Sequence, residues 1–260
     1  MFFQILSFIC IIFFISVVFY KQRRSTVELL QSEYGAPDSL KELAAEHQPI
    51  IIRNTPSPQS LTVEQLSKMQ RLAEFQFQDV SGSNSITLRQ YLTAPAPGTG
   101  VPLITNKAAQ ALSKELALPV WVSHTIQDTI QEMGGFFSIG FKQRVQTVFG
   151  GVGMQRATAV MTFFLPVEGT YTLSLVNPKS ESFLPTDWKY RYPRSMTIND
   201  SPLVSEIKYI DIILRPGTMI CIPTQTIFSM EPNDAAFHSG LWIEVDSPVS
   251  NLAKFLEDLD

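Results

Sequence analysis

The strongest constraint on the fold of this chain is an uncharged, almost wholly apolar run near its start. Residues 2–20 read FFQILSFICIIFFISVVFY, and only Gln4, Ser7 and Ser16 interrupt the apolar side chains. A helix rises by 1.5 Å per residue, so about twenty residues cover the roughly 30 Å hydrocarbon core of a bilayer. Every face of such a helix would be apolar, which argues against a helix that packs one face on a soluble core. The run therefore predicts a transmembrane helix.

The residues around this run predict its orientation. A cleaved signal peptide would have a basic segment before the apolar run and small residues after it. The chain instead begins with Met1-Phe2-Phe3, and the run ends in Phe19-Tyr20. Residues 21–24 then read KQRR. Because positive side chains concentrate on the cytoplasmic side of a membrane, we expect a single-pass anchor whose soluble part faces the cytosol.

Composition restricts the classes of function. Of the 260 residues, 45% are hydrophobic and 17% are charged, which is enough apolar material for a sizeable core. The formal net charge of −4 argues against a dedicated nucleic-acid binder, since these proteins carry a basic face. Two cysteines, Cys10 and Cys221, exclude a disulfide framework, and three histidines exclude His-rich metal chemistry.

The soluble part divides into a helical first portion and a strand-rich remainder. The β-branched residues 50–52 predict a buried strand, and apolar spacing predicts a helix over residues 62–74. From about residue 134, apolar runs separated by Gly, Pro and Asn-Asp turns predict many short strands. This order favours a barrel or sandwich over alternating βαβ units. Further short helices are predicted at residues 26–31, 38–46, 108–118 and 251–259, the third of them ended by Pro119.

Four segments, in order, resemble the JmjC-like, cupin-type oxygenase domains. They are HQPIIIRN at 47–54, ITLRQYL at 86–92, GTYTLSLVNP at 169–178 and ILRPGTMICIP at 213–223. The resemblance covers about residues 48–246 and implies a mainly β chain with α additions, built as a double-stranded β-helix barrel. The expected organisation is a transmembrane anchor at 1–20, a basic juxtamembrane linker at 21–47, a JmjC-like cupin domain at 48–250 and an acidic C-terminal tail or helix at 251–260.

The resemblance also implies where a metal would bind. In that family a His-x-Asp pair and a distant His hold Fe(II) and leave positions open for 2-oxoglutarate and oxygen. In this chain those ligand positions fall on Arg156, Thr158 and Phe228, and the lysine that pairs with the cosubstrate becomes Tyr171. Arginine is a permanent cation, phenylalanine has no donor atom and threonine is a poor neutral ligand. The resemblance therefore implies a degenerate member with no metal and no cofactor.

The former pocket has two further interpretations. Arg156, with Thr162 and Tyr171 as hydrogen-bonding companions, could hold a small anion such as a carboxylate or a phosphate. Alternatively, Arg156 pairs with a buried acid in the space that the metal left, or points outward at the barrel mouth. An oxygenase with altered ligands would rely on His238, because no histidine lies between residues 124 and 238.

Two other segments have compositions that are typical of binding sites. Residues 188–194 read WKYRYPR, and Trp188, Lys189, Arg191 and Arg194 are typical of a contact with an acidic ligand or single-stranded nucleic acid. They are equally typical of an exposed loop or edge strand whose charges prevent aggregation, and the acidic composition favours this second interpretation. The glycine-rich residues 150–153 lack the lysine and hydroxyl of a phosphate-binding loop, so they indicate a tight turn or a close backbone approach.

The leading hypothesis is a membrane-anchored pseudoenzyme that acts as a protein-interaction or scaffold module. Its expected partners are the lipid bilayer, through residues 2–20, and a protein or a second copy of the chain, with no nucleic acid. The alternatives are an oxygenase with non-standard ligands and a metal-free binder of small anions.

Overall fold

The structure, a computed structural model, describes residues 2–21, 25–78, 85–93, 106–134, 140–234, 236–247 and 250–251. The helices in these ranges are α1 (Phe2–Lys21), α2 (Pro37–Ala45), α3 (Val63–Lys68), α4 (Leu88–Thr93), α5 (Asn106–Glu115), α6 (Leu118–Thr125) and α7 (Gln127–Gly134). The strands are β1 (Leu30–Glu33), β2 (Ile50–Arg53), β3 (Gln76–Gln78), β4 (Ser85–Thr87), β5 (Lys142–Phe149), β6 (Val152–Arg156), β7 (Met161–Glu168), β8 (Tyr171–Val176), β9 (Tyr209–Leu214), β10 (Thr218–Pro223), β11 (Ile227–Pro232) and β12 (Ser239–Asp246).

Most strands belong to two sheets. The larger has six strands in the order β1-β2-β10-β7-β12-β5, and the smaller has four in the order β6-β11-β8-β9. A short hairpin pairs β3 with β4. From β5 to β12 the chain alternates between the two sheets except at β8 and β9, which are neighbours in the smaller one. The strand-rich second half expected from the sequence is confirmed.

The expected closed barrel is not found among the described residues, where the strands form two separate sheets. Contact between the sheets is made by side chains, as in a sandwich, rather than by a hydrogen-bond ladder that continues around a ring. The buried residues between the sheets, which we call the interior cluster, come from both. They are Ile51, Val148, Val152, Ala157, Phe164, Tyr171, Leu173, Leu175, Ile212, Leu214, Ile220, Ile222, Phe228, Met230 and Trp242.

Helices cover the other face of the six-stranded sheet. Successive side chains of a strand point to opposite faces, so Phe164 belongs to the interior cluster while its neighbours Phe163 and Leu165 pack with the helices. Leu40 of α2 and Leu112 of α5 are fully buried in this helical layer. Burial on both faces explains why β7 has no alternation of polar and apolar residues.

The two ends of the sandwich differ in the chain segments that meet there. We call the end at which β2, β5, β7, β9 and β11 begin the upper end, and the end at which these strands finish the lower end. The strand pairings that define the upper end are Ile50 with Cys221, Pro223 with Met161, Asp246 with Lys142, Val176 with Tyr209 and Arg156 with Ile227.

A long segment, residues 177–208, joins β8 to β9 and covers the upper part of the outer face of the four-stranded sheet. Its apolar residues pack against Met154, Val176 and Ile227 from the sheet. We call this group the outer cluster. Its buried members are Met154, Val176, Met196, Ile207 and Ile227, with Phe183, Leu184, Trp188, Val204 and Tyr209 packed around them.

The segment between α1 and β1 is fixed to the upper end by Gln48. The side-chain nitrogen of Gln48 donates to the carbonyl of Thr26 at 3.1 Å, and its oxygen accepts from the Glu28 N–H at 3.0 Å. Val27 and Leu29 pack against the interior cluster. The helix predicted at residues 26–31 is wrong, because this segment contains no helix and β1 begins at Leu30.

Residues 30–45 of the expected linker form β1 and α2, so the domain uses them as structural elements. The described part of the chain contains no helix with both the length and the apolarity needed to cross a membrane. The predicted helix at residues 251–259 lies outside the described residues, apart from its first residue.

Candidate functional site

The positions that the resemblance assigns to a metal lie at the upper end, where β6 ends and β11 begins. Arg156 pairs with Ile227, and Gln155 pairs with Phe228. Ile227 belongs to the outer cluster and Phe228 to the interior cluster. Since paired residues on neighbouring strands share a face of the sheet, Arg156 is on the outer face and Gln155 is on the interior side. The interpretation in which Arg156 holds an anion inside the pocket does not fit this placement, because its neighbour Gln155 takes the interior position.

Arg156 is paired with an acid on this outer face. Its guanidinium forms an ion pair with Glu181 and donates to the side-chain oxygen of Gln225 at 3.4 Å. The side chains of Arg156 and Glu181 are 28% and 27% exposed. Of the interpretations left open by the sequence, pairing with a partly buried acid is the one that this geometry supports, and the guanidinium is not available to an interior anion.

The interior positions beside β6 and β11 hold residues that do not fit an Fe(II) site. Ala157 and Phe228 belong to the interior cluster, and Phe228 has no solvent exposure. Neither side chain carries a donor atom, and the amide of Gln155 alone cannot replace a triad. Among the described residues, no group of three or more His, Cys, Asp or Glu side chains could hold a metal ion.

Aromatic rings occupy the space between the sheets. The ring of Phe228 lies 5.4 Å from that of Trp242, which lies 6.2 Å from Phe164, and Phe164 meets the edge of Tyr171 at 5.0 Å. These are ordinary packing distances for aromatic pairs. The row continues from Tyr171 to His238 at 5.2 Å. The rings therefore form a packed core from the upper end to the lower end.

Tyr171 lies too far from Arg156 to share a site with it. Tyr171 pairs with Pro232 and Arg156 pairs with Ile227, so the two pairings are five residues apart on β11. At about 3.4 Å per residue, this places them about 17 Å apart along the strand. The Tyr171 hydroxyl is buried without a hydrogen-bond partner among the described residues. Desolvation raises the pKa of Tyr171 well above its usual value, and the nearby Tyr91 contributes in the same direction.

The two threonines of the predicted site are also separated. Thr162 is buried at 1% exposure and pairs with Ile222, so it is on the interior side of the six-stranded sheet. Thr158 is exposed in the connection from β6 to β7. Thr162, Tyr171 and Phe228 are therefore all on the interior side, but Tyr171 is at the lower end and the other two are near the upper end. Arg156 and Thr158 lie outside the interior.

His238, the remaining candidate ligand, is buried at the lower end. Its Nδ1 is 2.7 Å from the carbonyl oxygen of Ala236, and its Nε2 is 3.1 Å from that of Thr170. A Cβ on Gly169, whose φ is +79°, would overlap the imidazole ring. His238 thus links the β7–β8 turn to the start of β12. Both ring nitrogens lie within hydrogen-bond distance of backbone oxygens, and the Asp234 carboxylate is 3.6 Å from Nε2.

The basic segment at 188–194 is largely neutralised. Arg191 contacts Asp187 and Asp200, each at 2.5 Å, and Arg194 contacts Asp211 at 2.7 Å. The N–H of Thr197 and the Arg191 guanidinium lower the pKa of Asp200 to about 2.

The two side chains that complete the basic segment differ in environment. Lys189 is exposed, and Trp188 packs against the outer cluster. This supports a self-paired surface loop rather than a ready-made nucleic-acid contact.

The glycine-rich segment serves a close backbone approach, as the sequence predicts. Gly150 has φ +70° and makes the turn between β5 and β6. A Cβ on Gly153 would overlap the backbone of Tyr190, and one on Gly151 would overlap the Tyr192 side chain. The Met154 N–H donates to the backbone carbonyl of Arg191 at 2.7 Å, so residues 190–191 run alongside β6.

Exposed apolar side chains are the feature that the sequence interpretation missed. Outside α1, the large hydrophobic residues that are exposed include Val120 and five others within residues 190–213. Whether a single apolar residue is exposed to solvent cannot be predicted from the sequence without knowledge of the fold. The five are Tyr190 (55%), Ile198 (76%), Leu203 (46%), Ile210 (37%) and Ile213 (59%).

Comparison with known proteins does not assign the chain to a family. No protein-family model matches the chain, and no curated protein matches it either.

Proposed function

We propose that this chain is a membrane-anchored binding module, built on a double-stranded β-helix domain of the JmjC-like cupin type and without oxygenase chemistry. The proposal has three parts, which are the fold type, the membrane anchor and a protein-binding surface.

The order of the strands supports the fold type. Strands β5 to β12 form the arrangement β5-β12-β7-β10 facing β6-β11-β8-β9, with β1 and β2 added at one edge. Eight strands in two facing sheets, with the chain crossing between the sheets at every step but one, are typical of the jelly rolls that include the cupins.

The interior of the sandwich carries the proposal that the module is not an oxygenase. Phe228 occupies one of the positions that the resemblance assigns to a ligand, Trp242 packs on it, and Ala157 lies in the same apolar cluster. Barrel-type folds keep their stability through buried apolar surface, and function belongs to the site rather than to the fold. Neither alternative finds a specific contact to support it, since Arg156 is paired with Glu181 and His238 faces backbone carbonyls.

Residues 2–20 carry the proposal of a membrane anchor. The run is uncharged, and α1 exposes large apolar side chains, including Phe8 at 63% and Phe14 at 69%. Such surface is costly in water and is matched by a hydrocarbon environment. The basic residues that follow favour a cytosolic domain.

The exposed apolar residues of 190–213 carry the proposal of a protein partner. Ile213 lies on β9, the outermost strand of the four-stranded sheet, and is 59% exposed on its outer face. Contiguous exposed apolar surface marks interaction sites, and we propose that Ile213 is part of such a surface. The partner is a protein, with self-association as one form of it.

The experiment compares Ile213→Ser with Val120→Ser in the full chain expressed in membranes. Both residues are large, apolar and similarly exposed, at 59% and 56%, but Val120 lies on α6. We expect cross-linking to a partner or to a second copy to be lost in Ile213→Ser and retained in Val120→Ser, with equal thermal stability. Retention of the same cross-link in both variants would contradict the proposed surface.

A further inference from the structure

We infer that the upper end of the sandwich lies against the lipid bilayer, so that the former active-site end faces the membrane and the lower end faces the cytosol. This inference rests on the proposed anchoring by α1 and specifies the surface that contacts lipid.

The short connection from α1 to the domain limits how far the two can separate. The helix ends at Lys21, and the carbonyl of Thr26 is bound by Gln48. Five residues span at most about 18 Å even when fully extended. The Leu30 N–H also donates to Pro49 at 2.9 Å, so the chain is fixed to the domain immediately before β2 begins.

The point of attachment lies at the upper end, because β2 begins there. A bilayer has headgroup layers of about 5–8 Å on each side of the hydrocarbon core. If α1 ends at the boundary of the hydrocarbon core, a connection of about 18 Å leaves at most about 10–13 Å between the headgroups and Thr26, which Gln48 binds just before β2. The upper end is therefore within reach of lipid headgroups.

The height of the sandwich keeps the lower end away from the membrane. Strand β12 has 8 residues and runs from the lower to the upper end. At about 3.3 Å per residue, its length is about 26 Å. Residues at the lower end, such as Arg215 after β9, are thus expected to be farther from lipid by about this distance.

Exposed side chains at the upper end fit a headgroup contact. Lys142, Lys179 and Lys208 are exposed where β5 begins, after β8 ends and before β9 begins. Long lysine side chains place their ammonium groups among phosphates while their stems contact apolar surface. Glu28 and Glu46 are exposed near the same end, so we expect proximity to headgroups without a strong preference for anionic lipid.

The test uses the full chain in proteoliposomes of phosphatidylcholine and phosphatidylserine that contain a nitroxide-labelled headgroup lipid. A fluorophore is attached to Lys208→Cys or to Arg215→Cys, in a Cys10→Ser background that keeps the buried Cys221. These exposed positions flank the two ends of the same strand, β9, which makes them a matched pair. Thermal melting confirms that both labelled proteins are folded.

We expect headgroup quenching to be several-fold stronger at residue 208 than at residue 215. Equal quenching, or stronger quenching at residue 215, would overturn the orientation while leaving the anchor intact. Alkaline carbonate extraction, carried out first on the same vesicles, tests the anchor separately. Release of the chain into the supernatant would contradict the proposed anchoring and this inference with it.

Discussion

Replacing Tyr171 by phenylalanine should stabilise the protein, although Tyr171 was a candidate ligand-binding residue. Its hydroxyl is buried and has no hydrogen-bond partner among the described residues. A buried unsatisfied polar group costs about 1–3 kcal/mol, and the lost dispersion contacts of one oxygen atom are worth less than that. We therefore expect Tyr171→Phe to raise the free energy of unfolding by about 1–2 kcal/mol. The Tm should rise by about 2–4 °C for each kcal/mol.

The matched control for this variant is Tyr91→Phe. Tyr91 is also buried, at 5% exposure, but its hydroxyl donates to the carbonyl of His238 at 3.2 Å. Removing that hydroxyl should lower the free energy of unfolding by about 0.5–1.5 kcal/mol. The assay is thermal and chemical unfolding of the full chain in one detergent. Destabilisation by Tyr171→Phe, equal to that of Tyr91→Phe, would refute the reasoning.

Alkaline pH provides a second readout of the same tyrosines. Desolvation raises the pKa of Tyr91 from its ordinary value of 10.0 to about 12, and it also raises the pKa of Tyr171 well above 10.0. A group whose pKa is raised on folding contributes stability that is complete below pH 10 and is lost as the pH rises toward the folded-state value. Stability should therefore fall between about pH 10 and 12, and Tyr171→Phe should make that fall shallower. An unchanged slope would contradict the assignment.

Three further predictions concern packing and the surface loop. Phe228→Ala should lower the free energy of unfolding by about 3–5 kcal/mol because Phe228 is fully buried against Trp242; a loss below about 1 kcal/mol would contradict close packing of the interior. Gly153→Ala should lower it by about 1–3 kcal/mol and increase proteolysis near Tyr190, whose backbone the new Cβ would overlap; unchanged proteolysis would contradict the close approach. The Asp200→Asn variant should be less stable than the wild type at pH 7. Because the pKa of Asp200 is lowered on folding, the stabilisation by its carboxylate is present above pH 3.8 and should be lost as the pH falls through about 2. A difference in stability that stays constant during acid unfolding would contradict this.

The strand-rich half was predictable because local signals and tertiary structure agree there. β-branched and aromatic runs punctuated by glycine and proline became β7 to β12. Strand β6 was not predicted, because Gly151 and Gly153 suggest a turn. In the structure these glycines lie in a strand because residues 190–191 run close beside its backbone. Proline also misled the prediction at residue 119, since Pro119 occupies the first turn of α6 instead of ending a helix. Proline is tolerated there because the first N–H groups of a helix have no internal partner.

The candidate site was less predictable because a one-residue shift in a strand exchanges its two faces. The residue types at the ligand positions that the resemblance assigns can be read from the sequence, but the faces on which they lie depend on the pairing of β6 with β11. Pairing of Arg156 with Glu181, and of Arg194 with Asp211, joins residues that are distant in sequence. Such neutralisation of charge cannot be inferred from the composition of a single segment.

The central claim is that the interior is a packed core without oxygenase chemistry, and metal content tests it most directly. The full chain is purified in detergent without oxygen, then analysed for iron and for thermal stabilisation by 2-oxoglutarate, which a bound ligand would produce by mass action. We predict a folded protein with no stoichiometric iron and no change in Tm with 2-oxoglutarate. Near-stoichiometric iron with stabilisation that depends on the cosubstrate would contradict the account.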